Sequence, residues 1–201
     1  SVEEGVAPAA AQVEALAIAD GHLSRAEAQL LAIPFTHADY ETVTTVSALM
    51  SWAEAAYERG YIALDTETDS LDSMRANLVG VSLALRPGKA CYIPLQHKAT
   101  GGGLFGGELL EGQIPLADAV SILKPLLEDP SILKIGQNLK YDIEVLKRHG
   151  MPVAPLDDTM LMSYVLESGD VGHGMDELAR RHLTHKCIPF KEVAGSGRSM
   201  I

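Results

Sequence analysis

The apolar positions of this chain fall into short runs with two different periods. Residues 61–66, 77–85 (NLVGVSLAL) and 90–95 (ACYIPL) are short and rich in apolar and β-branched residues, which predicts three strands close together. Arg86-Pro87-Gly88-Lys89 is a turn signal between the last two. Residues 40–44 (YETVT) predict a further short strand. Over 46–59 the period changes. Leu49, Trp52, Ala53, Ala56 and Tyr57 recur at helical spacing, and Gly60 stands where such a helix would stop. Further along, a helix is expected over 116–128, ending near Pro130, and a strand over 132–135. A helix from about Asn138 to Gly150 follows, then helices over 159–167 and 175–183. Strands come first, and strand–helix alternation follows. That order predicts an α/β domain whose mixed sheet is flanked by helices, antiparallel at first and parallel later.

Two segments do not fit the pattern. Residues 1–35 are Ala-rich, with capping-box spacing at Ser24-Arg25-Ala26-Glu27 and a stop at Pro34, and read as a linker with helical pieces. Residues 36–201 then form the main domain. Residues 97–114 hold Gly101-Gly102-Gly103 and Gly106-Gly107, with no helix start at the offset a phosphate cradle needs, so a flexible loop is expected.

Composition narrows the function. The net charge of -11 argues against a broad basic face for nucleic acid, but not against carboxylates that hold bridging metal ions. Two cysteines, Cys91 and Cys187, make neither a zinc spacing nor a disulfide framework, which favours a reducing, cytoplasmic compartment. No apolar run reaches membrane-spanning length, and the stretch 9–19 carries Glu14 without a basic leader, so no membrane association is expected. The chain opens on Ser1 and stops at Met200-Ile201, which reads as a piece of a longer polypeptide.

The chemistry is concentrated in acids. Asp65 and Glu67 are two apart on a strand, so their carboxylates leave one face. Side by side they repel, unless water surrounds them or a cation lies between them. Hard divalent ions such as Mg²⁺ or Mn²⁺ take oxygen ligands of this kind. The plainer reading is a hydrated strand end, with Asp69 and Asp72 as turn residues. In "KIGQNLKYD" (134–142), Asn138 and Asp142 are four apart on the expected helix. Taken alone, they read as an N-cap and a charge favourable to the helix dipole. Together, an acid pair on one strand and an acid after a later strand converge on a plausible two-metal site for phosphoryl transfer. Asp157-Asp158 precedes a helix and reads as its cap. His182 and His185, beside Arg180, Arg181 and Lys186, read as a solvated face.

With those residues in hand, "DTETDSLDSMRANLVGVSLAL", "IGQNLKYD", "DDTMLMSYVLESGDVGHGMDELARRHLTHK" and "IPFKEVAGSGR" resemble the 3′–5′ proofreading exonuclease domain of bacterial family A DNA polymerases, of the DEDD superfamily. The likeness runs in order over about residues 38–201. It implies a ribonuclease H-like fold and two Mg²⁺ or Mn²⁺ ions. Asp65, Glu67 and Asp142 would be catalytic metal ligands. Gln137, Asn138 and Tyr141 would line the path of the strand, Leu71 would wedge between the last bases, and Phe190 would stack near them. Without the resemblance, Leu71 would read as a cap on the core and Phe190 as a packing contact. The implied substrate is a single-stranded or mispaired DNA 3′ end, released as nucleoside monophosphates. The implied partner is a polymerase domain of the same parent chain, and the implied location the bacterial nucleoid. The family's third motif, a Tyr and an Asp four apart, is expected beyond "AGSGR". Tyr164 does not supply it, since Ser168 stands four residues on. Two competing readings remain: an inactive fragment that binds strand ends or supports the polymerase, and an RNA-trimming relative.

Overall fold

The computed structural model describes residues 32, 33, 36–99, 107–169, 171–189 and 192. The expectations for the segment around Ser24–Glu27 and Pro34, for Gly101–Gly103 and Gly106, for Phe190 and for the "AGSGR" segment lie outside them. Two compact units divide the chain, Ser1–Asp158 and Thr159–Ile201.

The first unit is built on a six-stranded mixed sheet. Its strands are β1 (Glu41–Thr42), β2 (Tyr61–Thr68), β3 (Leu78–Arg86), β4 (Lys89–Pro94), β5 (Leu133–Gly136) and β6 (Leu156–Asp158), in spatial order β1-β4-β3-β2-β5-β6. β2, β3 and β4 pair antiparallel, and β2, β5 and β6 pair parallel. The expected mixed α/β sheet is therefore the one observed. β6 is an addition. Residues 157 and 158 were expected only as the approach to a helix, yet Leu156, Asp157 and Asp158 pair with Lys134, Ile135 and Gly136. Three residues without alternation carry no strand signal; pairing to a neighbour makes them one.

β2 is longer than expected, reaching Thr68, which pairs with Leu78 after a register shift. Both Asp65 and Glu67 therefore lie within the strand, as expected of a pair on one face. Its pleat sorts them: Ile62, Leu64 and Thr66 are buried, while Asp65 and Glu67 are exposed.

Helix α1 (Val46–Arg59) covers the core with Leu49, Trp52, Ala53 and Ala56. Tyr57 was expected on that stripe but is 43% exposed, at the stripe's edge. Thr45 caps the start, accepting the Ala48 N–H at 3.2 Å. Gly60 ends the helix at φ 77°, where a side chain would be strained. Helix α2 (Leu116–Glu128) buries Ala119, Leu123, Leu126 and Leu127. The core these helices share with the sheet is mainly aliphatic, and each fully buried Leu, Ile or Val contributes about 1.5–3 kcal/mol.

Helix α3 runs over Lys140–Arg148, shorter than the 138–150 expected. Asn138 is not its cap. It sits before the helix in the left-handed region at φ 59°. Asp158 does the satisfying instead: its carboxylate accepts the Asn138 N–H at 3.1 Å and the Leu139 N–H at 2.8 Å. The acid expected to cap the following helix thus holds the entry to α3, because β6 lies beside β5 with Asp158 opposite Gly136.

The second unit holds α4 (Thr159–Leu166) and α5 (Met175–Leu183). Ser163 Oγ and His173 Nδ1 form a buried hydrogen bond at 2.8 Å. Arg180 pairs with Glu177, and Arg181 with Glu167 and Glu177. Arg180, His182 and Lys186 are exposed, as expected of a solvated face, but Arg181 and His185 are half-buried. No helix among the described residues is long and apolar enough to cross a membrane.

Candidate active site

The β2–β5 ladder spans only Tyr61, Ile62 and Ala63. Beyond it, β2 needs other partners on that edge, and α3 supplies one. Asp142, in the first turn of α3 and 5% exposed, accepts the Thr66 N–H at 3.0 Å and the Thr66 hydroxyl at 2.5 Å, both on Oδ1. A residue 76 positions away in sequence is thereby pinned beside the acid pair. Burial raises the Asp142 pKa against these two bonds, and the Asp158 charge adds to the rise.

Asp65 shows what that proximity does. Its pKa is pushed up to about 6, first by the protein around it, then by the charges of Asp142 and Glu67; a Thr66 backbone hydrogen bond opposes the rise. None of the three carboxylates forms an ion pair with a described residue. Among the described residues, no three His, Cys, Asp or Glu side chains stand close enough to hold a metal ion. The chemistry of the donors still fits a hard divalent cation: oxygen only, anionic, mutually repelling and uncompensated.

A second pair of groups flanks Glu67. Across the sheet, Asp65 stands opposite Ser82 and Ser82 opposite Tyr92, while Glu67 stands opposite Gly80. The Tyr92 ring crosses over Gly80, where a Cβ would fall 2.0 Å from the Tyr92 hydroxyl. That hydroxyl lies 2.6 Å from His97 Nε2, and its pKa is pushed up to about 12 by burial and by the Glu67 charge. Sequence reasoning missed Tyr92, His97 and Thr66. The one available signal was a glycine inside a strand next to an aromatic one strand over, which marks a close approach.

The remaining expected residues sit around the same end of β2. Leu71 is 99% exposed in the loop after β2, so it is not a cap on the core. Asp69 and Asp72 are turn residues as read: Asp69 accepts Asn77 N–H at 2.8 Å, and Asp72 accepts Met74 N–H at 3.0 Å. Tyr141 is half-buried. Its hydroxyl donates to the Ser70 carbonyl and shares a 2.5 Å hydrogen bond with Thr68 Oγ1. Gln137 is half-buried and Asn138 exposed, both in the turn between β5 and α3.

Comparison with known proteins gives a consistent result. A 3′–5′ exonuclease family model matches residues 40–199. DNA polymerase I of Rhizobium leguminosarum is 46% identical over 195 residues, covering 92% of this chain and 19% of that protein. The chain therefore spans about a fifth of the length of the curated relatives it matches. Among solved structures, Escherichia coli RNase D, an exoribonuclease involved in structured RNA processing, aligns with TM-score 0.57 at 24% identity, over 77% of this chain and 36% of that one. Brucella melitensis NrnC with bound Mg²⁺ aligns with TM-score 0.52 at 22% identity, over 74% and 62%. These likenesses show the fold, a ribonuclease H-like sheet flanked by helices.

Proposed function

The chain belongs to the 3′–5′ exonuclease family of DNA polymerase I, and from that premise we propose that it hydrolyses the terminal phosphodiester of single-stranded or mispaired DNA 3′ ends. The observation that carries this reading is Asp65 and Glu67 on one face of the central strand, uncompensated, with Asp142 fixed to the same strand through Thr66. Asp65 and Glu67 would hold Mg²⁺ or Mn²⁺, and Asp142 would act on the ion directly or through water. Bound ions would supply the Lewis acidity that activates water and neutralises the leaving oxygen.

The chain's own residues do the rest. Thr66 holds Asp142 in place. Leu71 offers the bases an apolar contact that reads no sequence, as an editor of any mismatch requires. Gln137 and Asn138 sit at the same end of the sheet. Tyr141 commits its hydroxyl to the loop, so its part is to hold Leu71's support as well as to line the strand's path. Phe190 would add stacking. The product is a nucleoside monophosphate. The partner is a polymerase domain in the same parent chain, in the bacterial cytoplasm. Residues 36–201 would form the nuclease part and 1–35 a linker.

The test uses the full-length parent with Asp65→Ala and Glu67→Ala. We expect loss of Mn²⁺-dependent trimming of single-stranded 3′ ends; trimming at the normal rate would sink the reading. A second reading has one observation in its favour, the absence of a metal-ready trio among the described residues. On that reading the piece binds strand ends without cutting. Robust trimming by this chain with added Mn²⁺, compared on DNA and RNA, would reject it.

A further inference from the structure

The loop between β2 and β3 carries two large apolar side chains into solvent: Leu71, 99% exposed, and Met74, 65% exposed. A loose loop would fold such tips against the surface, since each buried methylene is worth about 0.8 kcal/mol. This loop is not loose. Its neck is closed by Asp69, which accepts both the Asn77 N–H at 2.8 Å and the Asn77 side-chain amide at 2.7 Å. Its turn is closed by the Asp72 carbonyl, which accepts the Arg75 and Ala76 N–H groups, each at 2.9 Å.

Helix α3 then fastens the loop from outside. Tyr141, Glu144 and Arg148 are spaced three and four apart, one stripe of the helix. Tyr141 donates to the Ser70 carbonyl. Glu144 accepts from the Ser73 hydroxyl. Arg148 Nη1 donates to the Ser73 and Ala76 carbonyls, each at 2.8 Å. The same helix carries Asp142, so one helix both fastens the loop and carries a candidate-site carboxylate. Exposed apolar tips on a loop held this firmly are partly preorganised for a ligand, because the backbone that carries them needs no further ordering on binding.

We propose that Met74 is a second base-contacting residue beside Leu71, and that Glu144 and Arg148 are positioning residues that keep both tips fixed next to the carboxylates. The ligand is the unpaired bases at a DNA 3′ end, and in that respect the inference rests on the exonuclease reading. Two apolar tips three residues apart give a frayed end two contacts, neither of which depends on base identity.

Two measurements on the full-length parent test it. The first is binding, in EDTA, of an oligonucleotide with a 3′-terminal 2-aminopurine, followed by its fluorescence. The second is Mn²⁺-dependent trimming of a mispaired duplex end and of a single strand. Met74→Ala should weaken binding about tenfold and raise KM with kcat little changed, and Met74→Leu should restore both. Arg148→Met should raise KM more on the mispaired duplex than on the single strand, and should speed amide exchange at residues 70–76. Wild-type binding by Met74→Ala overturns the base contact; unchanged exchange and KM in Arg148→Met overturns the positioning role. If the wild type trims nothing while Met74→Ala still weakens binding, the contact stands and the exonuclease reading fails.

Discussion

Asp65 is the residue where the site's chemistry is most exposed to test. Its pKa of about 6 stands above the ordinary 3.8 because the surrounding protein, and then the neighbouring carboxylates, disfavour its charge. A group raised in this way stabilises the fold when protonated. Its contribution is present below the unfolded value and is lost as pH rises through about 6. On the proposed role of Asp65 as a metal ligand, metal and proton would compete for the same oxygens. In EDTA, the residue's contribution should therefore favour the acid side. The melting temperature gained from Mn²⁺ should be larger at about pH 7.5 than at about pH 5. Asp65→Asn should flatten that difference. An equal Mn²⁺ gain at both pH values would show that Asp65 does not govern the ion.

At the scale of elements, β5 is the strand that delivers α3 to the site, and its own anchor is Lys134. This side chain is fully buried. Its ammonium donates to the carbonyls of Ile132 at 2.7 Å, Ala154 at 2.6 Å and Asp129 at 2.9 Å. Asp129 follows directly on α2, so the charge also sits at the negative end of that helix's dipole. Burial lowers the Lys134 pKa, and the Asp129 charge works against that. Lys134→Met keeps most of the volume but strands those carbonyls. It should cost about 3 kcal/mol in urea unfolding, and a loss under about 1 kcal/mol would mean water replaces the ammonium freely.

At the scale of the molecule, the net charge of -11 sets how the chain meets a polyanion. That balance argues against broad phosphate contact, so on the exonuclease reading proposed above affinity for a strand end would come from bases and bound cations. Binding of a single strand should then depend weakly on monovalent salt, with a log–log slope equivalent to about two phosphate contacts or fewer. Fluorescence anisotropy over a salt series measures it. A slope several times steeper would point to a basic track that the composition does not suggest.

What the sequence determined by itself is whatever the backbone's own periods encode. The two-residue period puts Asp65 and Glu67 on one face, and the helical period puts Leu49, Trp52, Ala53 and Ala56 on another. Both follow from local geometry, and the order of such elements was enough to predict a mixed α/β sheet. Tyr57 and the exact reach of α3 failed at element edges, where period is a weak guide. The tertiary structure alone decided which groups meet. Thr66 holding Asp142, Asp158 closing the entry to α3, Tyr92 crossing Gly80 toward His97, and Arg148 fastening the loop under Met74 all join residues on different elements. Such bonds leave no local pattern, because each partner is satisfied only once the sheet has closed and brought the other within reach.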